Sequence, residues 1–547
     1  MVFLKTLTTS ILALAHVENI EQNRRAIPIS GHAYFPSLTT AQNESSSDGL
    51  TIQTQQGPVM GTSPAPNVRQ FLGIPYAAAN RWEAPTAPPN RTETFNASSF
   101  GDSCPQQLNT ANIEFYRLSW GGLSDDQILV PESEECLNIN VWAPSTNRAQ
   151  STAVLVWIYG GELSFGTSNT PQYNGLNFVQ DNDDITLVSF NYRTNIFGQP
   201  NAPQLNGTGQ PQNFGFLDVD AAIQWVSQNI ASFGGDPERI TIFGQSAGAQ
   251  LADAYTYSHP NDTIVKGVIE QSGTLLDVSV VAKGGPILDD IAWNVVASAV
   301  GCGNTTDSTQ FFCMQNVSTT DLATAVSNTE SSFSLVLDGV TVFADTQARA
   351  AAGNFLKVPL LAGTTANEGD IFIVLEELLL VGATIQPALD ILSSIFAMGT
   401  TCATAEGTNL RAAANSSVFR YEYQAIFPNI SPFPQLRAYH TSEIPLLFGT
   451  YNLSTESTHI PSTPIEIALS KSIQQLWVAF ARDPANALPL LGWPAYNGSG
   501  QGIIAALGNS QNQTGWTFTE SAVIDALCPK ITFFQGLVTE VQAALGL

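Results

Sequence analysis

The run Phe243-Gly244-Gln245-Ser246-Ala247-Gly248 constrains this chain more than any other stretch. An apolar segment, Ile240-Thr241-Ile242-Phe243, leads into it, and helix-like sequence follows to near His259. Strand, G-x-S-x-G and helix in that order read as a sharp strand-to-helix elbow. Such a reversal crowds the backbone around the serine, and residues without Cβ two places on either side relieve the crowding. The elbow exposes the Ser246 hydroxyl. It also leaves the Ala247 N–H at the start of a helix, pointing where a developing oxyanion would sit. Ser246 is therefore a candidate nucleophile.

The neighbouring pattern points to a fold class. Segments 153–159, 185–192 and 239–243 are near-continuous apolar runs rich in Val and Ile. Such runs suit central strands buried on both faces. Between them, 218–230 carries Ala221, Ala222, Trp225, Val226 and Ile230 at helical spacing. Asp218 and Asp220 are expected at the N-terminal end of that helix, where negative charge is favoured. The alternation predicts an α/β fold, a large and mostly parallel central sheet with helices on both faces. With 547 residues, 44% of them hydrophobic, the chain can bury a large core. Neither an internal repeat nor a domain boundary is visible, so 51–547 is expected to be one domain. No apolar run approaches the roughly 18 residues that span a bilayer.

There are 20 basic and 46 acidic residues, a net charge of -26. That balance argues against a nucleic-acid or anionic-membrane partner, since phosphate binding needs clustered Lys and Arg. The N-terminus reads as a secretory signal over 1–15. Lys5 precedes the apolar stretch 7–14, and Ala13-Leu14-Ala15 offers a cleavage site. Segment 16–50 reads as a loosely ordered leader, with Arg24-Arg25 as a dibasic feature. Twelve N-x-S/T sequons fit secretion: Asn43, Asn90, Asn96, Asn206, Asn261, Asn304, Asn316, Asn415, Asn429, Asn452, Asn497 and Asn512. Asn429 is discounted because Pro432 follows its Ser431. The even count of six cysteines fits an oxidising compartment. Among fifteen possible pairings, Cys104/Cys136 and Cys302/Cys313 are close in sequence, and Cys402/Cys528 remains by elimination. No C-x-x-C or Cys/His cluster suggests a metal.

An activated serine needs a base, and the base an orienting acid. The chain has five histidines. His16 and His32 lie in the leader, His259 closes the elbow helix, and His459 sits in a polar loop. His440, in a loop between ordered segments, is the favoured base. With the triad in the order Ser, acid, His, the acid should follow a strand between 246 and 440. Segment 358–363 reads as that strand, and Glu368 lies in the turn after it. Asp370 is the near alternative, and Asp338 and Asp345 are more remote ones. Oxyanion donors need a loop beside the nucleophile. The strand ending at Tyr159 runs into Gly160-Gly161-Glu162-Leu163, where paired glycines permit close approach of substrate.

Together these residues resemble the type-B carboxylesterase/lipase family, which includes cholinesterases and Candida-type fungal lipases. The resemblance runs from about Thr51 to the C-terminal region. It is carried by Phe71-Leu72-Gly73-Ile74-Pro75-Tyr76 with Arg81-Trp82, and by Glu135-Cys136-Leu137-Asn138-Ile139-Asn140-Val141-Trp142. Phe233-Gly234-Gly235-Asp236-Pro237 leading into Ser246-Ala247-Gly248, and Trp493-Pro494-Ala495-Tyr496, complete it. The resemblance implies an α/β-hydrolase fold, with Ser246 as nucleophile, Glu368 as acid and His440 as base. It implies oxyanion donors at Gly161, Glu162 and Ala247, the three disulfides above, and no metal or organic cofactor. Ser272 and Glu443 match positions expected to support the site.

Two residues depart from the family pattern. Glu162 stands where a third glycine is usual, and its carboxylate is expected to point away from the oxyanion. Gln245 precedes the serine where many members have Glu. In lipase-like members the Cys104–Cys136 loop is a flap over the site. Here it carries Ile113, Phe115, Tyr116, Leu118, Trp120, Leu123, Ile128 and Leu129, which suit either a lipid interface or inward packing. Trp120 lies too far upstream to match the choline-binding Trp of cholinesterases. The resemblance thus implies a secreted carboxylesterase or lipase. An inactive adhesion-type module and an acyl transferase are the alternatives.

Overall fold

The computed structural model describes residues 48–119, 124–276, 289–379, 386–498 and 501–528. The expected signal peptide and all but the end of the expected leader lie outside these residues. Contacts divide the chain after Asp48, and the unit that carries the fold is Gly49–Leu547.

Fourteen strands are formed among the described residues. In chain order they are β1 (Thr51–Thr54), β2 (Gly57–Met60), β3 (Thr62–Ala65), β4 (Val68–Pro75), β5 (Phe95–Asn96), β6 (Asn138–Pro144) and β7 (Thr152–Ile158). Then follow β8 (Ile185–Phe190), β9 (Gly235–Gln245), β10 (Val265–Gln271), β11 (Leu360–Thr365), β12 (Val418–Tyr423), β13 (Ile503–Leu507) and β14 (Trp516–Glu520). Eleven of them make one sheet in the order β14-β13-β12-β11-β10-β9-β7-β8-β6-β4-β3, while β1, β2 and β5 make a small separate sheet. From β13 to β8 every neighbour is parallel, and the outer pairs are antiparallel.

The apolar runs became the centre of this sheet. Every residue of β7 and β8 is buried, as strands of a parallel sheet covered on both faces require, and antiparallel β6 beside them is buried throughout as well. Trp157 of β7 meets Phe243 of β9 at 4.8 Å, Tyr173 at 5.2 Å and Phe448 at 5.1 Å between ring centroids. Helices Phe214–Asn229, Ala247–Ser258, Gln386–Ala413 and Pro464–Arg482 surround the sheet. The last opens on a capping box, Thr463 with Glu466, with proline in its first turn. The three disulfides are Cys104–Cys136, Cys302–Cys313 and Cys402–Cys528.

One expectation fails. The helix expected at 218–230 begins a full turn earlier, at Phe214, so Asp218 does not serve its N-terminus. Asp218 is instead buried and bound in a fork by Arg193, with Nε and Nη2 each 2.8 Å from a carboxylate oxygen. A charge-assisted bidentate pair holds a buried carboxylate more firmly than a helix end does.

Parallel strands place all their carboxyl ends on one edge, where open α/β sheets bind ligands. On that edge, segments carrying Gly160, Ser246, Ser272 and Glu368 leave β7, β9, β10 and β11.

Candidate active site

Ser246 sits on a strained turn, with φ 56° and ψ -125°. Its N–H donates to the Gln271 carbonyl at 2.8 Å, tying the elbow to the end of β10. The flanking glycines are required by close approach. A Cβ on Gly248 would lie 2.0 Å from the Ile158 carbonyl oxygen, and one on Gly244 would lie 2.4 Å from the Gly248 backbone. The crowding thus comes as much from β7 as from the elbow itself. Ala247 is the first residue of the helix Ala247–Ser258, so its N–H has no acceptor within that helix.

His440 is buried and lies just before the short helix Ile444–Phe448. Its Nδ1 is 2.5 Å from Oε2 of Glu368, which is fully buried. The other carboxylate oxygen, Oε1, accepts the Thr365 N–H at 2.7 Å. A backbone bond from Asn367 N–H to the Ala438 carbonyl, 2.8 Å, ties the acid's turn to the base's loop. Nδ1 thus donates to Glu368, and Nε2 carries the lone pair that a base needs.

The competing candidates are engaged elsewhere. Asp370 accepts from Arg437 Nε and Nη2, both at 2.8 Å, and so anchors the loop that carries His440. Asp338 organises a turn by accepting the N–H groups of Val340, Thr341 and Val342. Asp345 pairs with Arg349. His259 stacks on Tyr255 at 4.4 Å, and exposed His459 follows the helix Tyr451–Thr458. His16 and His32 lie outside the described residues.

The glycine loop after β7 is held in an unusual conformation. Gly161 has φ 113°, Glu162 55° and Leu163 57°. Left-handed residues other than glycine are costly and persist where surroundings enforce them. The enforcing bonds are Ser164 N–H and Phe165 N–H to the Gly161 carbonyl, at 2.9 and 3.1 Å. Asn195 adds its N–H to the Leu163 carbonyl at 2.5 Å and its Nδ2 to the Ser164 carbonyl at 3.2 Å. Asn195, itself at φ 46°, escaped the sequence reading because nothing local marks it. Glu162 is exposed.

Below the site lies a second buried acid. Glu443 accepts from Gln271 Nε2 at 3.1 Å, and its Oε2 has no partner among the described residues. Burial, and then the nearby Glu368 charge, push its carboxyl up to about 7. The Ser272, Thr441 and Ser442 hydroxyls are likewise buried without partners among the described residues.

The flap folds inward. Its helix, Thr110–Ser119, buries Phe115, Tyr116 and Leu118. Phe115 meets Phe165 of the glycine loop at 5.8 Å and Phe372 at 5.9 Å, and the Phe372 ring is 6.2 Å from that of His440. Ile128 is buried and Leu129 exposed, while Trp120 and Leu123 lie outside the described residues. Among the described residues no group of three or more His, Cys, Asp or Glu side chains is placed to hold a metal ion. No helix among them is long and apolar enough to cross a membrane.

Residues 48–380 match the carboxylesterase family. The chain is 35% identical to secreted lipase 5 of Gibberella zeae over 78% of its own length and 84% of that protein. It is also 35% identical to chlorogenic acid esterase of Aspergillus niger, over 83% of this chain and 86% of that one. A solved PNB esterase structure superposes with a TM-score of 0.70 at 23% identity, covering 86% of this chain and 97% of that one, and it shares the α/β-hydrolase fold. The chain therefore belongs to the carboxylesterase family and is a carboxylic ester hydrolase.

Proposed function

We propose that this hydrolase is secreted and cleaves carboxylic esters through Ser246, His440 and Glu368 by way of an acyl-enzyme. His440 Nε2 takes the Ser246 proton as the hydroxyl oxygen attacks the ester carbonyl. Glu368 keeps the proton on Nδ1 and stabilises the imidazolium that forms. The Gly161, Glu162 and Ala247 N–H groups receive the charge that develops on the carbonyl oxygen. The imidazolium then returns its proton to the departing alkoxide, and water repeats the sequence on the acyl-enzyme.

The observation that carries this reading is the Glu368–His440 bond, which fixes the tautomer with a basic Nε2 beside the elbow. Secretion is supported by the three disulfides and by the relative named a secreted lipase. The sequons agree: Asn90, Asn96, Asn206, Asn261, Asn304, Asn316, Asn415, Asn452 and Asn497 are exposed. Asn429 is buried and bonded to Glu466, so it is no acceptor for glycan.

The aromatic flap and Phe372 argue for substrates with an apolar acyl part; transient contact with lipid would require the flap to open, since its Phe115, Tyr116 and Leu118 are packed inward. A series of p-nitrophenyl esters from acetate to palmitate tests this. Preference for long chains, rising above the substrate's solubility limit, is the lipase outcome. Preference for acetate or butyrate without that rise would make the flap a fixed wall and the enzyme a soluble-ester esterase.

A further inference from the structure

The residue before the nucleophile has an unexpected partner. Gln245, the last residue of β9, is buried, and its side-chain Nε2 is 3.0 Å from Nε2 of His440. The chemistry fixes which end of the amide faces the ring. With Nδ1 donating to Glu368, Nε2 offers only a lone pair, so the amide N–H donates to it. The amide oxygen faces the other way: a Cβ on Gly160 would lie 3.2 Å from Gln245 Oε1. The bond therefore occupies the lone pair that must accept the Ser246 proton. A carboxylate here could not make it, because it has no proton to give a neutral imidazole.

We propose that Gln245 is a positioning residue that holds His440 in the neutral, Nδ1-protonated form in the resting enzyme and yields Nε2 to Ser246 when substrate is attacked. The proposal rests on the triad reading above. On proton transfer the Ser246 O–H bond breaks, the His440 Nε2–H bond forms, and the serine oxygen bonds to the ester carbon. The amide hydrogen moves off Nε2 and no atom of Gln245 is exchanged. A donor to the lone pair stabilises the neutral ring, whereas a carboxylate would stabilise the imidazolium.

Other titratable groups around His440 come from several elements. Glu368 follows β11, and Asp370 beside it is tied to Arg437. Glu443 lies on the same loop as His440, Tyr421 and Glu422 come from β12, and Glu162 is on the glycine loop. All are unchanged by substitution at Gln245, so a shift between variants reports on that position.

The test is the acid limb of kcat/KM on a p-nitrophenyl ester for wild type, Gln245→Met and Gln245→Glu, each checked by circular dichroism. Methionine keeps the length and removes the donor, so the midpoint should rise by a few tenths of a pH unit. Glutamate should raise it by about 1 unit or more, lowering kcat/KM about tenfold at a fixed pH below both midpoints. A methionine variant at or below the wild-type midpoint overturns the proposal, whatever glutamate does. If Gln245→Met does not fold, Gln245→Leu takes its place with the same expected direction. A wild-type profile with no acid limb would overturn the triad reading and the proposal with it. A limb present but unmoved overturns the proposal alone.

Discussion

Replacing Glu443 with glutamine removes a charge that its buried site disfavours. Glu443 is fully enclosed, accepts one hydrogen bond from Gln271, and faces the Glu368 carboxylate. Its carboxyl moves from an ordinary 4.5 up to about 7 in the folded protein. The sign follows from linkage. Below pH 4.5 the group is protonated folded or unfolded. Between 4.5 and 7 the folded state keeps a proton that the unfolded chain has released, so stability falls as pH rises. Above 7 the loss is complete, at about 3 kcal/mol. Glutamine is neutral throughout, and any misfit of its amide is the same at every pH. The stability of Glu443→Gln relative to wild type should therefore rise by about 3 kcal/mol from pH 4 to pH 8. With an unfolding entropy near 1 kcal/mol/K for a domain of this size, that is a relative gain of about 3 °C in Tm. Calorimetric melts of both proteins at the two pH values read it directly. An equal Tm difference at pH 4 and pH 8, or a gain only at pH 4, would mean that burial does not raise the Glu443 carboxyl.

Other perturbations have equally definite outcomes. Glu368→Gln, which no longer enforces the Nδ1–H tautomer, should lower kcat about 10³–10⁴-fold with an unchanged circular dichroism spectrum. Gly161→Ala places a Cβ 2.2 Å from the Phe165 carbonyl oxygen at φ 113°. Steady-state kinetics should show kcat/KM reduced about 100-fold or more, since the donor loop must shift. Arg411 pairs with buried Asp253, bonds Thr256 at 2.8 Å and lies over the Phe355 ring. Arg411→Met strands the Asp253 carboxylate and should cost about 3–5 kcal/mol, a fall of roughly 3–5 °C in a thermal melt.

How far the sequence revealed this arrangement depended on whether the signal was local. The elbow was legible because strand, glycines and helix follow one another, although the carbonyl of Ile158 that presses on Gly248 comes from a strand far upstream. His440 stood out because histidines are few. Glu368 and Asp370 follow the same strand, and local pattern alone could not separate them. In the structure their partners differ, His440 for Glu368 and Arg437 for Asp370. Asp218 was misread because a helix-end carboxylate and a buried Arg partner look alike in one dimension. The bond between Gln245 and His440 spans 195 residues, and Asn195 reaches the glycine loop across the fold. No periodicity or spacing encodes such contacts. The inward packing of Phe115 and Tyr116 was similarly undecided, since an apolar flap residue suits core and interface alike.

Every step of the proposed mechanism depends on Ser246 being the nucleophile. A p-nitrophenyl alkylphosphonate tests it most directly, by releasing one equivalent of nitrophenol as it forms a stable adduct with an activated serine. Wild type should lose esterase activity in step with that release, and peptide mass spectrometry should find the phosphonyl group on Ser246. Ser246→Ala should neither release the burst nor hydrolyse esters, while keeping its fold. A label on another residue, or esterase activity that survives in Ser246→Ala, would place the nucleophile elsewhere.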